Sequence, residues 1–451
     1  MTKFQKQMLT IAAAGALTAV TALPAMAFEN EFHGIFNFNT VFSNYNNGKS
    51  GAIFTDGNGT SVATALKKNN KTNNYMEQRA RIQYIAKASD DLKLVTHFEM
   101  NNQYGLTKAT GTSGTQIDTD TYNIQLKHAY LDFNIGKNFN TVVGMLPYKD
   151  TLKGVFIDAD VAAIYTTTKM GDYKLGLGFT RLNDSQFGST TARTGDLNTD
   201  LFLMDNTYAL NKDTKVGLSY YFLADYSTAN QRTLVNTLGL FGETKLGSLG
   251  LSGFAAMQAG HGVGALGART SYHGWAANVS AKMGGARTGL LFVSGDNNSD
   301  AGHNNGWVNT GVTSFNESGL MILTRNTANS PTSTDEYIRR VVTNQALLYM
   351  GYDAKLTEKF NLDGAVGFAW APASDAAMVD GSTTRKNSSD FMGTELSVTA
   401  GYQLYKNLSL QAKAGYMILG GYYKNATTDA ANAPATPENP YTMRLQARYS
   451  F

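Results

Sequence analysis

The final segment, residues 441–451, alternates strictly between two classes of side chain, and this alternation constrains the fold more than any other feature. The apolar and aromatic positions are Tyr441, Met443, Leu445, Ala447, Tyr449 and Phe451, and the polar or basic positions between them are Thr442, Arg444, Gln446, Arg448 and Ser450. Successive side chains of a β-strand point to opposite faces. The segment therefore predicts a strand with one apolar face and one polar face.

The same alternation recurs, less strictly, near residues 32–42, 79–86, 215–222, 395–404 and 408–416. An apolar outward face needs lipid around it, and an inward face that carries Arg, Lys and Glu needs water. A soluble sandwich or β-helix could also alternate. The pattern nevertheless favours a membrane barrel, because the chain end is aromatic and the connections differ in length.

Connections between the predicted strands alternate between short and long. Short turns such as 89–91, 136–138 and 211–213 alternate with stretches rich in Asn, Gly, Ser and Thr, of which 297–337 is the longest. Short turns on one side and long loops on the other are typical of bacterial outer-membrane barrels. Eight turns and nine loops predict a closed antiparallel transmembrane β-barrel of about 18 strands, or 16 if the segments near Tyr165 and Phe179 belong to a loop.

The N-terminus has the features of an export signal. Lys3 and Lys6 precede an uncharged apolar run over residues 8–20, and Ala25-Met26-Ala27 fits the small-residue cleavage pattern. The run is shorter than the roughly 18 apolar residues that a spanning helix needs. We therefore expect a signal peptide over 1–27 and a single barrel domain over 28–451.

Composition excludes several kinds of chemistry. The chain has no Cys, which removes disulfide frameworks and thiolate metal sites, and its formal net charge of +3 does not indicate a nucleic-acid partner. His33, His97 and His128 fall on inward faces of early strands and could suggest a metal site. His33 and His97 are two strands apart, however, and all three side chains would have to lie at the same height along the barrel axis. We therefore expect no metal and no cofactor.

Several short stretches resemble Gram-negative outer-membrane porins, namely residues 28–34, 90–99 and 128–133 and the terminal Tyr-Ser-Phe. The resemblance implies a passive diffusion channel for small hydrophilic solutes and ions, without enzymatic activity, in the bacterial outer membrane. It implies a homotrimer in contact with lipid and lipopolysaccharide. It also implies that the barrel-insertion machinery recognises Tyr449 and Phe451, and that the third extracellular loop, about residues 148–163, folds into the lumen.

Alternation predicts which charged side chains line the pore. The inward set is Arg79, Arg81, Lys93, His97, Glu99, Lys413, Arg444 and Arg448. Because the last strand must pair with the first to close a barrel, these groups lie on neighbouring strands of one side. Asp150, Asp158 and Asp160 of the inserted loop are expected opposite them. Such opposed charges would create a transverse field that favours small polar or charged solutes.

Two other classes of function remain open for a barrel of this kind. An adhesin or structural barrel would act through its long loops, and residues 297–337 are long enough for that role. A barrel enzyme would need a nucleophile and a base at the rim, and no local serine motif indicates one. Single-channel conductance separates a diffusion channel from both.

Overall fold

The computed structural model describes residues 29–44, 72–105, 124–184, 197–228, 231–264, 266–296, 302–324, 342–373, 389–423, 427–428, 434–435 and 438–451. The predicted signal peptide lies outside these ranges. Eighteen long antiparallel strands form one sheet. They are β1 (Glu29–Ser43), β2 (Asn73–Ser89), β3 (Leu92–Gln103), β4 (Gln125–Ile135), β5 (Phe139–Lys149), β6 (Asp158–Met170), β7 (Tyr173–Asp184), β8 (Asn198–Asn211), β9 (Thr214–Asp225), β10 (Arg232–Leu246), β11 (Leu249–Val263), β12 (Trp275–Met283), β13 (Ala286–Val293), β14 (Gln345–Lys355), β15 (Phe360–Trp370), β16 (Phe391–Tyr405), β17 (Leu408–Leu419) and β18 (Tyr441–Ser450). Short strands at Arg269–Tyr272, His303–Asn304, Thr427–Thr428 and Pro434–Ala435 lie in the connections.

The sheet closes on itself, because β1 pairs with β2 on one side and with β18 on the other. In the closing pair, Ile35 lies opposite Ser450 and Ser43 lies opposite Thr442. Closure leaves no free sheet edge, so the strands satisfy their backbone hydrogen bonds within the barrel. The predicted closed barrel of 18 strands is confirmed. Tyr165 and Phe179 lie in β6 and β7, so the 16-strand alternative is wrong.

Short turns join each even-numbered strand to the next odd-numbered strand, and long connections join the strands at the other end. The turn after β4 contains Gly136 with a φ of 63°, and the turn after β6 contains Gly171 with a φ of 60°. Glycine adopts this left-handed conformation without the steric penalty of a Cβ atom. Tight turns at one end leave the long connections together at the opposite rim.

The barrel has an apolar outer surface and a polar interior. Along β18, Met443 and Leu445 are 54% and 58% exposed, whereas Arg444 and Gln446 between them are 4% and 6% exposed. The predicted separation of the two faces is therefore present in the closing strand. An exposed apolar belt of this kind requires lipid around it. Among the described residues, no helix is long and apolar enough to cross a membrane.

Candidate functional site

The third long connection, L3 (residues 150–157), lies inside the barrel. Leu152 and Phe156 are fully buried, although they belong to a loop. The ring of Phe156 stacks on that of Tyr221 in β9, with centroids 5.1 Å apart. Gly239 in β10 leaves room for Leu152, because a Cβ atom on this glycine would be 2.6 Å from Leu152 Cδ2. Strands β5 and β6 extend into the predicted 148–163 region, so the loop itself is shorter than that range.

Asp150 organises L3 through its carboxylate. Its Oδ1 accepts the N–H of Gly154 at 2.8 Å, and its Oδ2 accepts the N–H groups of Phe156 at 2.8 Å and Ile157 at 2.6 Å. Burial raises the pKa of Asp150 to about 6, although the three amide donors favour the ionised form. Both carboxylate oxygens are thus engaged within the loop.

One further carboxylate supports L3 from below. Asp205 of β8 accepts hydrogen bonds from the hydroxyl groups of Tyr148 at 2.7 Å, Tyr165 at 2.9 Å and Tyr221 at 2.8 Å. These tyrosines come from β5, β6 and β9. The carboxylate of Asp205 therefore links β8 to β5, β6 and β9 next to L3.

The seventh long connection, L7 (residues 294–344), packs against L3 through its described segment 302–324. Trp307 Nε1 donates to the carbonyl oxygen of Val155 at 3.0 Å. The N–H of Ser314 donates to the carbonyl oxygen of Gly154 at 3.0 Å, and the N–H of Asp158 donates to that of Val312 at 2.9 Å. Backbone and side-chain contacts thus join the two loops inside the barrel.

Glu395 of β16 anchors the far end of the described part of L7. Its carboxylate accepts the N–H groups of Met321 at 2.6 Å, Ile322 at 2.9 Å and Leu323 at 2.6 Å. Ser397 donates its hydroxyl to the same carboxylate at 2.5 Å. Four donors therefore converge on this one carboxylate. L7 is therefore fastened to the barrel strands as well as to L3.

Lys153 connects the tip of L3 to the opposite strands. Its Nζ donates to Ser252 Oγ of β11 at 2.9 Å and to Ser280 Oγ of β12 at 3.0 Å, and lies 3.4 Å from Glu317 Oε2 of L7. Lys282 of β12 lies 3.4 Å from the same carboxylate oxygen. Burial lowers the pKa of Lys153. Burial alone would raise the pKa of Glu317, but the two lysines outweigh it and lower that pKa.

Two neighbouring cavities lie between L3 and the short turns. The upper one has a volume of about 480 Å³ and is lined by Tyr130, Asp132, Lys149 and Tyr165 among others. The lower one, about 580 Å³, reaches the turns at 136–140 and 171–172. The two cavities share the lining residues Asn140, Thr167, Lys174 and Thr207. The two cavities therefore adjoin each other between L3 and the short turns.

Basic side chains from β2, β17 and β18 form what we term the basic wall: Arg79, Arg81, Lys413 and Arg444. Arg79 and Arg81 both approach Glu99 Oε2 through their Nε atoms, at 3.4 Å and 2.5 Å. Lys413 and Arg444 lie directly opposite each other in register, and both are buried. Arg448 is exposed and lies opposite Asn37 of β1. Barrel closure thus places β17 and β18 on one side of β1 and β2 on the other, so these residues lie within four neighbouring strands.

The other predicted residues form local pairs. Lys93 lies 3.0 Å from Asp132 of β4. His97 Nδ1 is 3.1 Å from His128 Nδ1, and His128 Nε2 is 2.8 Å from Asp160 Oδ1. Asp160 also pairs with Lys127. The histidine pair thus connects β3 and β4 to β6.

Asp158 and Asp160 differ from their expected position in the inserted loop, because both are strand residues of β6. The regular strand alternation of β6 is visible directly after these residues, since Val161 and Ala163 are buried and Ile164 is exposed. Asp158 pairs with Lys149 at 3.4 Å and contacts Ser314 of L7. Lys149 therefore neutralises Asp158, and Lys127 neutralises Asp160. A role for the predicted charged residues at a constriction stays a prediction.

The two aromatic residues at the chain end lie close together. The ring centroids of Tyr449 and Phe451 are 5.9 Å apart, and both rings are exposed. The backbone of Phe451 pairs reciprocally with Gly34 of β1, at N–O distances of 2.9 and 3.0 Å. The last residue thus extends the closing strand pair.

Sequence reasoning missed the residues that fix L7. Lys153, Glu317 and Glu395 were not predicted, and neither was Arg287, which forms a bidentate pair with Asp363 of β15. One signal was available. Residues 319–323, Gly-Leu-Met-Ile-Leu, are an apolar run inside an otherwise polar loop, and such a run favours burial.

Comparison with family models and with curated protein sequences finds no match. Solved structures do match. The outer-membrane protein OpdK of Pseudomonas aeruginosa has a TM-score of 0.54 at 11% identity, covering 94% of this chain and 98% of that one. A BenF-like porin from Pseudomonas fluorescens has a TM-score of 0.51 at 14% identity, covering 94% and 98%. The likeness at these identities shows a shared fold.

Fold and site together define a class of protein. The chain is a large closed antiparallel β-barrel with an apolar outer belt, a charged interior and two loops inserted into its lumen. Its solved structural neighbours include P. aeruginosa OccK11, at a TM-score of 0.50 and 11% identity, covering 93% of this chain and 96% of that one.

Proposed function

We propose that this protein is an outer-membrane porin, a passive diffusion channel for small hydrophilic solutes and ions. The observation that carries the proposal is the closed barrel, whose strands expose apolar side chains on the outside and direct polar and charged side chains such as Arg444 and Gln446 inwards. An apolar outer belt around a water-lined interior is the arrangement that a pore through a lipid bilayer requires. The BenF-like structural neighbour is a porin, which agrees with this function.

The same proposal includes location and assembly. The protein is exported with removal of residues 1–27, and it resides in the bacterial outer membrane as a homotrimer in contact with lipid and lipopolysaccharide. The barrel-insertion machinery recognises Tyr449 and Phe451, and L3 narrows the lumen. The exposed aromatic pair at the closing strand supports the assembly signal.

Selectivity depends on the paired charges along the interior. Neutralising Arg79 and Arg81 leaves Glu99 without its two guanidinium partners. Neutralising Asp158 and Asp160 leaves Lys149 and Lys127 without carboxylate partners. Charges act over about one Debye length, roughly 10 Å at 0.1 M salt, so each effect is larger at low ionic strength.

Planar-bilayer recording with purified protein tests the proposal. The parent should form discrete open channels, the Arg79→Gln/Arg81→Gln variant should shift permeability towards cations, and the Asp158→Asn/Asp160→Asn variant should shift it towards anions. Lys406→Gln is the control, because Lys406 is an exposed residue of the short turn between β16 and β17 and lines neither cavity. Absence of conductance in the folded parent would refute the channel. Unchanged reversal potentials in both double variants at low salt would refute the selectivity residues.

A further inference from the structure

Two imidazole rings meet between β3 and β4. His97 and His128 lie directly opposite each other in register. Their Nδ1 atoms are 3.1 Å apart, and their ring planes are inclined at 62° with centroids 5.0 Å apart. The rings therefore approach nitrogen to nitrogen, edge on, rather than by stacking.

Asp160 determines the proton arrangement of this pair. Its Oδ1 lies 2.8 Å from His128 Nε2, and an ionised carboxylate only accepts hydrogen bonds. His128 therefore carries its proton on Nε2 and directs the lone pair of Nδ1 towards His97. Without an ion, His97 donates its Nδ1–H to that lone pair. Nδ1 of His128 is thus already a free acceptor, and chelation requires a change of tautomer in His97 together with a rotation that turns both Nδ1 lone pairs towards one point beside the N–N line.

We propose that His97 and His128 bind one divalent transition-metal ion, Cu²⁺ or Zn²⁺, through their two Nδ1 atoms. Metal–nitrogen bonds of about 2.0–2.1 Å at angles of roughly 90–110° place two ligating nitrogens about 2.8–3.4 Å apart. The observed 3.1 Å lies in this range. On binding, the proton of His97 moves from Nδ1 to Nε2, so both imidazoles stay neutral and no proton is released.

The charged groups around His97 and His128 determine which metal ions the site would bind. Asp160 orients His128 through Nε2, as carboxylates orient metal-binding histidines elsewhere. Glu99 and Asp160 face Arg81 and Lys127, so the carboxylates near the pair are already neutralised. Neutral nitrogen ligands select copper or zinc over calcium or magnesium.

Among the described residues, no cluster of three or more His, Cys, Asp and Glu side chains is placed to bind a metal ion. The proposed ion therefore has two protein ligands, and water completes its coordination.

Binding of Cu²⁺ to the full folded barrel tests the site without any need for conduction. Calorimetry should give one site per chain, and electron paramagnetic resonance should report two nitrogen ligands. His97→Gln and His128→Gln should each weaken binding by tenfold or more and remove a nitrogen coupling. Asp160→Asn, a change in a positioning residue, should weaken binding by about tenfold and keep both nitrogens.

The His273→Gln/His303→Gln variant is the matched control, because these two rings also face each other, with centroids 6.3 Å apart. It should bind like the parent. In the unmodified protein, Cu²⁺ should protect the partly buried His97, but not the exposed His33, from diethyl pyrocarbonate, and this measurement does not depend on variants that fold. The proposal is overturned if the parent binds no Cu²⁺, if either single variant binds normally, or if only the control loses the ion.

Discussion

The ring of Phe451 lies directly over Gly34 on the outer surface, so that a Cβ atom built on Gly34 would be 2.3 Å from Phe451 Cζ. Phe451 also exchanges two backbone hydrogen bonds with Gly34. The chain end therefore closes the barrel through its backbone and covers the first strand with its side chain. Glycine is needed here for the close approach of the ring rather than for an unusual φ.

Gly34→Ala should impair assembly, because the added methyl group displaces the Phe451 ring and also meets the carbonyl oxygen of Arg81 at 2.9 Å. The fraction of heat-modifiable folded barrel on gels measures the effect. Gly364→Ala is the control, since nothing lies within 4 Å of a Cβ atom at this strand glycine. Equal folded fractions for the two variants would contradict the prediction.

Truncation after Ser450 should reduce assembly in the outer membrane more than the loss of one half-exposed ring would suggest. The truncated chain loses two backbone hydrogen bonds of the closing pair as well as the proposed recognition signal. Surface levels in cells and refolding yield in detergent separate the two causes. Normal surface levels would contradict the prediction. A surface defect with normal refolding would assign the effect to recognition.

Asp150→Asn should loosen L3. An amide has one acceptor oxygen where the carboxylate has two, so at least one buried N–H loses its partner, at a cost of about 1–3 kcal/mol. Hydrogen exchange of the Gly154, Phe156 and Ile157 amides should therefore accelerate. Unchanged exchange would show that the carboxylate does not hold the loop.

The same carboxyl group predicts a pH dependence. Folding raises the pKa of Asp150 from 3.8 to about 6, so the folded state binds this proton more tightly than the unfolded state. Its contribution to the free energy of unfolding should decrease as pH rises from about 4 to about 6. Urea unfolding should show this slope in the parent, and Asp150→Asn should lack it. Parallel curves for the two proteins would contradict the assignment.

Lys153→Met should release L3 from β11, β12 and L7. The side chain keeps its length but loses the hydrogen bonds to Ser252 and Ser280 and the contact with Glu317. We expect larger and noisier single-channel currents. Lys282→Met is the control, because Lys282 is more exposed and contacts only Glu317 among these groups. A control with equal or greater noise would show that Lys153 is not the main connection.

The strands and their order could be predicted from the sequence. A strand alternates its side chains with period 2 regardless of what lies across the barrel, so residues 441–451 reveal both faces of β18. Turn and loop lengths are likewise local, and they predicted 18 strands and the closure of β18 on β1. The position of Arg79 and Arg81 beside Glu99 follows from the same alternation and strand pairing.

Only the tertiary structure decided what fills the interior. The contact of Trp307 with Val155, the approach of Lys153 to Ser252 and Ser280, and the capture of residues 321–323 by Glu395 all join segments distant in sequence. The pairing of Asp160 in β6 with His128 in β4 likewise reaches across β5, which lies between these two strands. The tilt and stagger of the strands determine which residues face each other across the lumen and at what height along the barrel axis they lie. Alternation determines the face of a side chain but not its partner across the lumen.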